Sequence, residues 1–223
     1  MERLSDLDYE YREGADGGPV LLLLHGTGGG PSDLLPVADL LLPGAPMLAP
    51  QGPEREYGAT RWFRRLREGG FDEDDIRLRV EQLAGFVLAA RDRHALGERP
   101  IVAVGFSNGA NIAAATLQLR PDVLREAALF STMAPFAKPP AGDLHGTHVF
   151  LSNGDPDPLA PRPAADRLVR QLREAGAEVQ EHYHASGHTV TYEGVVAARD
   201  WLAARHPPAK APFRTEGRSS RGL

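Results

Sequence analysis

Short unbroken apolar runs alternate along this chain with longer stretches in which apolar residues recur every three or four positions. Residues 20–24 (Val-Leu-Leu-Leu-Leu) and 101–104 (Ile-Val-Ala-Val) are runs of the first kind. They are short and lie next to Gly or Pro, so they read as strands buried on both faces. Residues 8–12 alternate polar and aromatic side chains, as an edge strand would, and 45–50, 127–131, 148–151 and 179–184 are further strand candidates. Helical spacing predicts helices over 32–42, 73–96, 111–119, 166–175 and 192–204. In the longest of these, Ile76, Val80, Leu83, Val87 and Ala90 form one stripe, and Asp72 or Asp74 is placed to cap it. Pro43, Pro121 and Gly176 mark helix ends. Repeated strand–helix units of this size predict an α/β domain with a mostly parallel central sheet and helices on both faces. Two stretches, 52–70 and 135–146, break the alternation, and connections of that length often carry function. The domain is expected to span residues 1–206. Residues 207–223, rich in Pro, Gly, Ser and Arg, are expected to be a flexible tail.

Composition narrows the function. A chain of 223 residues suits one domain with a substantial core. Its formal charge of -5 argues against a nucleic-acid surface. It has no Cys, which excludes disulfides, thiolate metal sites and a Cys nucleophile together. No apolar run approaches the roughly 20 residues of a membrane span, so no stable membrane insertion is expected. The first residues are acidic and lack an apolar leader core, so the expected location is cytoplasmic. Both a monomer and a homodimer remain open.

Gly105-Phe106-Ser107-Asn108-Gly109 falls between a predicted strand and a predicted helix. A sharp reversal there lifts the Ser107 hydroxyl above the sheet, and the flanking glycines relieve the crowding. No other Ser has such flanks. A Ser hydroxyl is a weak nucleophile and needs a base. With this turn the chain order is Ser, then an acid, then His. His188 follows Ser186-Gly187 just past the last predicted strand, where a parallel sheet presents its site, and is the preferred base. His145, His148, His182, His184 and His206 lie in or beside strands or at element ends. His182 and His184 read as neighbours on one face of an edge strand rather than a metal pair. Asp155 and Asp157 share the turn after strand 148–151, and local physics barely separates them as the acid. The glycine-rich run Gly26-Thr27-Gly28-Gly29-Gly30 follows the first buried strand. The backbone amides of Thr27 and Asn108 are the candidate oxyanion donors. A phosphate-cradling loop is the weaker reading, since no Lys-Ser/Thr follows. His25 reads as a residue that shapes this loop.

With these residues placed, the sequence resembles the phospholipase/carboxylesterase family, which includes acyl-protein thioesterase-like enzymes. The carriers are Leu24-His25-Gly26-Thr27-Gly28-Gly29, Gly105-Phe106-Ser107-Asn108-Gly109-Ala110, Gly154-x-x-Asp157-Pro158-x-x-Pro161 and Gly187-His188. The resemblance implies an α/β-hydrolase fold without a large cap domain. Through its Asp-Pro spacing it also implies Asp157 rather than Asp155 as the acid. Trp62-Phe63-Arg64-Arg65 with Glu68-Gly69-x-Phe71-Asp72 is similar to a bacterial branch of small esterases, members of which are linked to hydroquinone or catechol metabolism. Asn108, often Gln in the thioesterase members, points away from protein depalmitoylation.

The expected function is hydrolysis of short- or medium-chain carboxylic esters by Ser107, His188 and Asp157 through an acyl-enzyme, with no metal or organic cofactor and a small-molecule ester as partner. A thioesterase or lysophospholipase with the same residues is the alternative enzyme, and a non-catalytic ligand binder on this fold is the alternative class. A dienelactone-type hydrolase would carry a Cys nucleophile. For 52–70 the preferred reading is a solvated loop whose Trp62 and Phe63 pack on the body and wall the acyl pocket. Recognition of an acidic substrate group by its arginines is the other reading.

Overall fold

The computed structural model describes residues 1–66 and 70–207. Arg67, Glu68 and Gly69 of the arginine-rich stretch, and all but Pro207 of the expected tail, lie outside the described residues. Among the described residues, ten strands and five helices follow in the order β1 (Glu2–Leu4), β2 (Leu7–Arg12), β3 (Val20–Leu24), α1 (Leu35–Leu41), β4 (Met47–Pro50), β5 (Glu54–Glu56), β6 (Ala59–Arg61), α2 (Glu73–Arg93), β7 (Ile101–Phe106), α3 (Asn108–Leu119), β8 (Glu126–Phe130), β9 (His148–Gly154), α4 (Arg162–Glu174), β10 (Glu178–His184) and α5 (Tyr192–Arg205). Eight strands form one sheet in the order β1-β2-β4-β3-β7-β8-β9-β10. From β4 to β10 all neighbours are parallel, while β1–β2 and β2–β4 are antiparallel.

Strand periodicity explains the continuous apolar runs. In β3, Val20, Leu22 and Leu24 face one core and Leu21 and Leu23 the other. In β7, Ile101 and Ala103 divide from Val102 and Val104 in the same way. A central strand covered on both sides has no face left for polar side chains. One core packs under α2, α3 and α4 through Ile76, Val80, Ile112 and Leu168, and the other under α1 and α5 through Ala38, Leu41, Ala198 and Leu202. The predicted stripe on α2 is buried throughout, and Asp72 caps it by accepting from the Asp75 amide at 3.1 Å.

Several boundaries differ from expectation. Residues 8–12 are not an edge strand, because β1 folds back over β2 through Ser5 and Asp6, both at positive φ as a tight hairpin turn demands. Within 52–70 the chain forms a two-stranded hairpin, β5–β6, turning at Tyr57-Gly58. Its all-charged first strand, Glu-Arg-Glu, carries no hydrophobic alternation. Helix α4 begins at Arg162, four residues before the apolar period suggests, because a proline in the first turn loses no helical hydrogen bond. Helix α1 starts late, at Leu35, after consecutive turns through Gly30–Asp33 and Ser32–Leu35. His182 and His184 lie on β10, at the sheet edge, with ring centroids 6.2 Å apart. Among the described residues no helix is long and apolar enough to cross a membrane, and no segment forms a separate cap domain.

Glu126, at the start of β8, accepts from His206 Nε2 at 2.8 Å and from Arg205 at 3.3 and 3.4 Å, tying the end of α5 to the sheet. Burial pushes the Glu126 carboxyl up, but the bonds from Arg205 and His206 outweigh it and hold the group below its ordinary 4.5. A carboxylate depressed in the folded state adds stability that is complete above the unfolded value and is lost as pH falls through the folded one. Glu126→Gln is therefore expected to cost about 2 kcal/mol at pH 7 and less below pH 4. Urea unfolding of both proteins at the two pH values measures it, and an equal cost at both would contradict the linkage.

Candidate active site

Strand β7 and helix α3 meet at Ser107, whose backbone sits at φ 53, ψ −116. That conformation is rare for a residue with a side chain and is held by what lies on either side. A Cβ on Gly109 would fall onto the Leu24 carbonyl oxygen of neighbouring β3, and one on Gly105 would lie 2.7 Å from Ala110 Cα. The two glycines thus allow strand and helix to approach without displacing each other. Helix α3 begins at Asn108, three residues before the apolar pattern starts, and residues 108 to 118 are all buried, which accounts for its run of alanines.

His188 lies between β10 and α5. Its Nε2 is 2.8 Å from Ser107 Oγ and its Nδ1 2.7 Å from Asp157 Oδ2. The Asp157 side chain is fully buried, and its Oδ1 accepts from the amides of Leu159 (2.8 Å) and Ala160 (3.0 Å). An ionised carboxylate only accepts, so Nδ1 carries the proton and donates to it, leaving Nε2 free to accept from the hydroxyl. The loops after β9 and β10 touch closely: a Cβ on Gly154 would occupy the place of the Ser186 carbonyl oxygen. Asp155, two residues from Asp157, has a side chain 56% exposed and pairs instead with Arg162 at 2.6 Å. Asp157, not Asp155, reaches His188.

The glycine-rich loop after β3 is fixed by His25. The Nδ1–H of this buried residue donates to Gly26 O at 2.7 Å, and Nε2 accepts from the Gly52 amide and from Gln51 Nε2, both at 2.9 Å. Two donors at one nitrogen require it to be unprotonated, and burial pushes the imidazole below its ordinary value against weaker opposition from Gly26 O and Asp33. His25 is thus a neutral brace. Among the described residues the amides of Thr27 and Asn108 donate to no protein acceptor. Thr27, in the loop after β3, lines the cleft with Ser107, and Asn108 follows Ser107 as the first residue of α3.

Trp62 and Phe63 correct the expected pocket wall. Both are buried in the core under α2, and neither faces the cleft. Trp62 donates from its indole to His25 O at 2.9 Å and from its amide to Asn108 Oδ1 at 2.7 Å, so it locks the hairpin segment to both loops of the site. The cleft beside Ser107 and His188 has a volume of about 260 Å³ and is walled by Thr27, Arg61, Arg65 and Leu159 among others. Arg61 and Arg65 belong to the arginine-rich stretch whose other reading was recognition of an acidic group, whereas Asn111, Ser131, Met133, Leu159 and Ala160 line the cleft without any signal in the sequence. Arg61 is 4% exposed and donates from Nη1 to Thr27 Oγ1 at 3.1 Å. Arg61 ends β6 directly before the buried Trp62 and Phe63, which accounts for its burial. Asn111 Oδ1 accepts from the Met133 amide and the Thr132 hydroxyl, holding the loop after β8 against α3.

A mostly parallel sheet with a serine raised on a strained strand-to-helix turn, and with loops of β3, β9 and β10 gathered over it, defines an α/β-hydrolase. The chain belongs to the phospholipase/carboxylesterase family, whose pattern matches residues 16–206, and with it to the enzymes that hydrolyse carboxylic esters. It is 40% identical over 182 residues to MhqD of Bacillus subtilis (strain 168), covering 82% of this chain and 91% of that protein. Among solved structures, the Bacillus cereus carboxylesterase superimposes with a TM-score of 0.85 at 38% identity, over 89% of this chain and 94% of that one. A carboxylesterase from Mesorhizobium loti gives 0.84 at 30% identity, over 91% and 97%.

The backbone at Ser107 makes a prediction about stability. Ser107→Gly relieves the positive φ but loosens the unfolded chain, whereas Ser107→Ala keeps the strain. The Gly variant is expected to be more stable than the Ala variant by about 1 kcal/mol. Chemical denaturation of the pair measures this, and an Ala variant at least as stable would show that the turn is unstrained.

Proposed function

We propose that this protein hydrolyses esters of short- and medium-chain carboxylic acids by two-step acyl transfer through Ser107. The observation that carries the reading is the hydrogen-bonded chain from the Ser107 hydroxyl through His188 to the buried Asp157. The Ser107 oxygen attacks the ester carbonyl carbon as its proton passes to His188 Nε2. Asp157 keeps Nδ1 protonated and offsets the imidazolium charge. The amides of Thr27 and Asn108 receive the oxyanion, each donor being worth about 3 kcal/mol in such a site. The tetrahedral intermediate collapses, and the alcohol leaves with the proton from Nε2. Water then gives a proton to Nε2 and attacks the acyl carbon, and Ser107 recovers its proton as the acid departs.

The size of the cleft supports small acyl groups. At about 260 Å³ it lies below the range of drug-sized ligand pockets. Among the described residues no cap encloses a long acyl tunnel.

One assay series tests both points. Asp157→Asn is expected to lower kcat by about 10²-fold or more, because the wrong imidazole tautomer faces the serine. Asp155→Asn, which alters an exposed ion pair, should cost less than about 10-fold. Across acetate, butyrate and laurate esters of one alcohol, kcat/KM should be lowest for laurate. A folded Asp157→Asn protein with wild-type kcat, or a preference for laurate, would contradict the corresponding point.

A further inference from the structure

Hydrolysis of a neutral ester needs no positive charge in the acyl pocket beyond the oxyanion donors, yet the cleft carries two guanidinium groups. Arg61 and Arg65 both face it, and its described lining contains no Asp or Glu. Arg61 is the unusual one. Its Nη1 donates to Thr27 Oγ1, and its Nε lies 3.2 Å from Phe63 O and 3.3 Å from Glu56. Its Nη2 is buried and has no partner among the described residues. A guanidinium is always a donor, and a buried donor left unbonded is costly unless something arrives to accept from it. Burial pushes the Arg61 guanidinium below its ordinary value, Arg65 pushes it the same way, and Glu56 opposes both. Arg65 itself is exposed, with its guanidinium 6.0 Å from the centre of the Phe71 ring. Two like charges face one small cleft, one of them held by Thr27, which lines the cleft with Ser107.

We propose that Arg61 and Arg65 form a carboxylate subsite beside Ser107, so that the preferred substrates are half-esters of short dicarboxylic acids. This deepens the serine-esterase reading and rests on it. The free carboxylate would accept from Arg61 and Arg65, which both line the cleft, while the ester carbonyl lies at Ser107. A carboxylate matches the planar donor fork of Arg, and in a partly dry cleft such bonds are stronger than those between neutral groups. Arg61 would fix the position of the carboxylate, and Arg65, at the exposed side, would draw it in.

The test pairs two substrates of nearly equal shape, monoethyl succinate and ethyl succinamate, which differ in carrying a carboxylate or a neutral amide. The wild-type enzyme is expected to favour monoethyl succinate in kcat/KM by about 10-fold or more, chiefly through KM. Arg65→Gln should reduce that ratio by about 5-fold or more, and Arg65→Lys should retain part of it. Because Arg65 is exposed, both variants keep the buried framework. Arg61→Gln should lower the ratio further where the protein remains folded. A wild-type ratio near one, or a ratio unchanged in Arg65→Gln, overturns the subsite. So does hydrolysis of p-nitrophenyl butyrate without hydrolysis of either ethyl ester. In these cases Ser107 still reacts and the esterase reading stands. If none of the three esters is hydrolysed, and a fluorophosphonate leaves Ser107 unmodified, the serine reading itself is lost.

Discussion

The reversal of the chain at Ser107 is the constraint on which the rest of the site depends. Strand β7 is buried on both faces and α3 along nearly its whole length, so neither can retreat from the other. The turn between them is left with one route, at positive φ, and Gly109 must approach the Leu24 carbonyl too closely for any side chain. The same crowding brings the end of β3 against the start of α3. A strained residue persists only where its surroundings over-determine it, and here two hydrophobic cores do so.

Parallel pairing supplies the other half of the arrangement. Because β3, β7, β8, β9 and β10 run in one direction, the loops leaving their C-terminal ends gather at one edge of the sheet. Thr27, Ser107, Asp157 and His188 come from four of those loops. Each loop is braced by groups outside the proposed chemistry: His25 with Gly52 and Gln51, Trp62 with Asn108, and Gly154 against Ser186. The hairpin segment does more than cover the site, since Trp62 bonds both the glycine-rich loop and Asn108 beside the serine turn while Arg61 reaches Thr27. Arg61, on the cleft wall, and Trp62, which braces the glycine-rich loop, are therefore consecutive residues.

The central strands were legible because burial on both faces leaves only apolar residues in them, and Gly105-x-Ser107-x-Gly109 marked the turn for the same steric reason that the structure displays. His188 stands out by its place after the last strand, and its ring lies 2.8 Å from Ser107 Oγ. Asp157 and Asp155 are not separable by local physics, since both sit in one proline-stiffened turn. What distinguishes them is which carboxylate points inward to the amides of Leu159 and Ala160, a consequence of tertiary packing. The family spacing carried that choice. The hairpin β5–β6 and strand β1 left no periodic signal, being three residues long and largely charged. Trp62 and Phe63 were rightly read as packing on the body, but their burial is complete and the cleft wall falls to the arginines beside them.

The central claim is that Ser107, activated by His188, forms a covalent acyl-enzyme. Intact-mass analysis after exposure to a fluorophosphonate, with peptide mapping of the adduct, tests it most directly. The account predicts a single adduct on Ser107, none on a folded Ser107→Ala protein, and much slower labelling of His188→Ala. Ester hydrolysis by the wild-type protein that survives with Ser107 unmodified, or labelling that persists in Ser107→Ala, would contradict it.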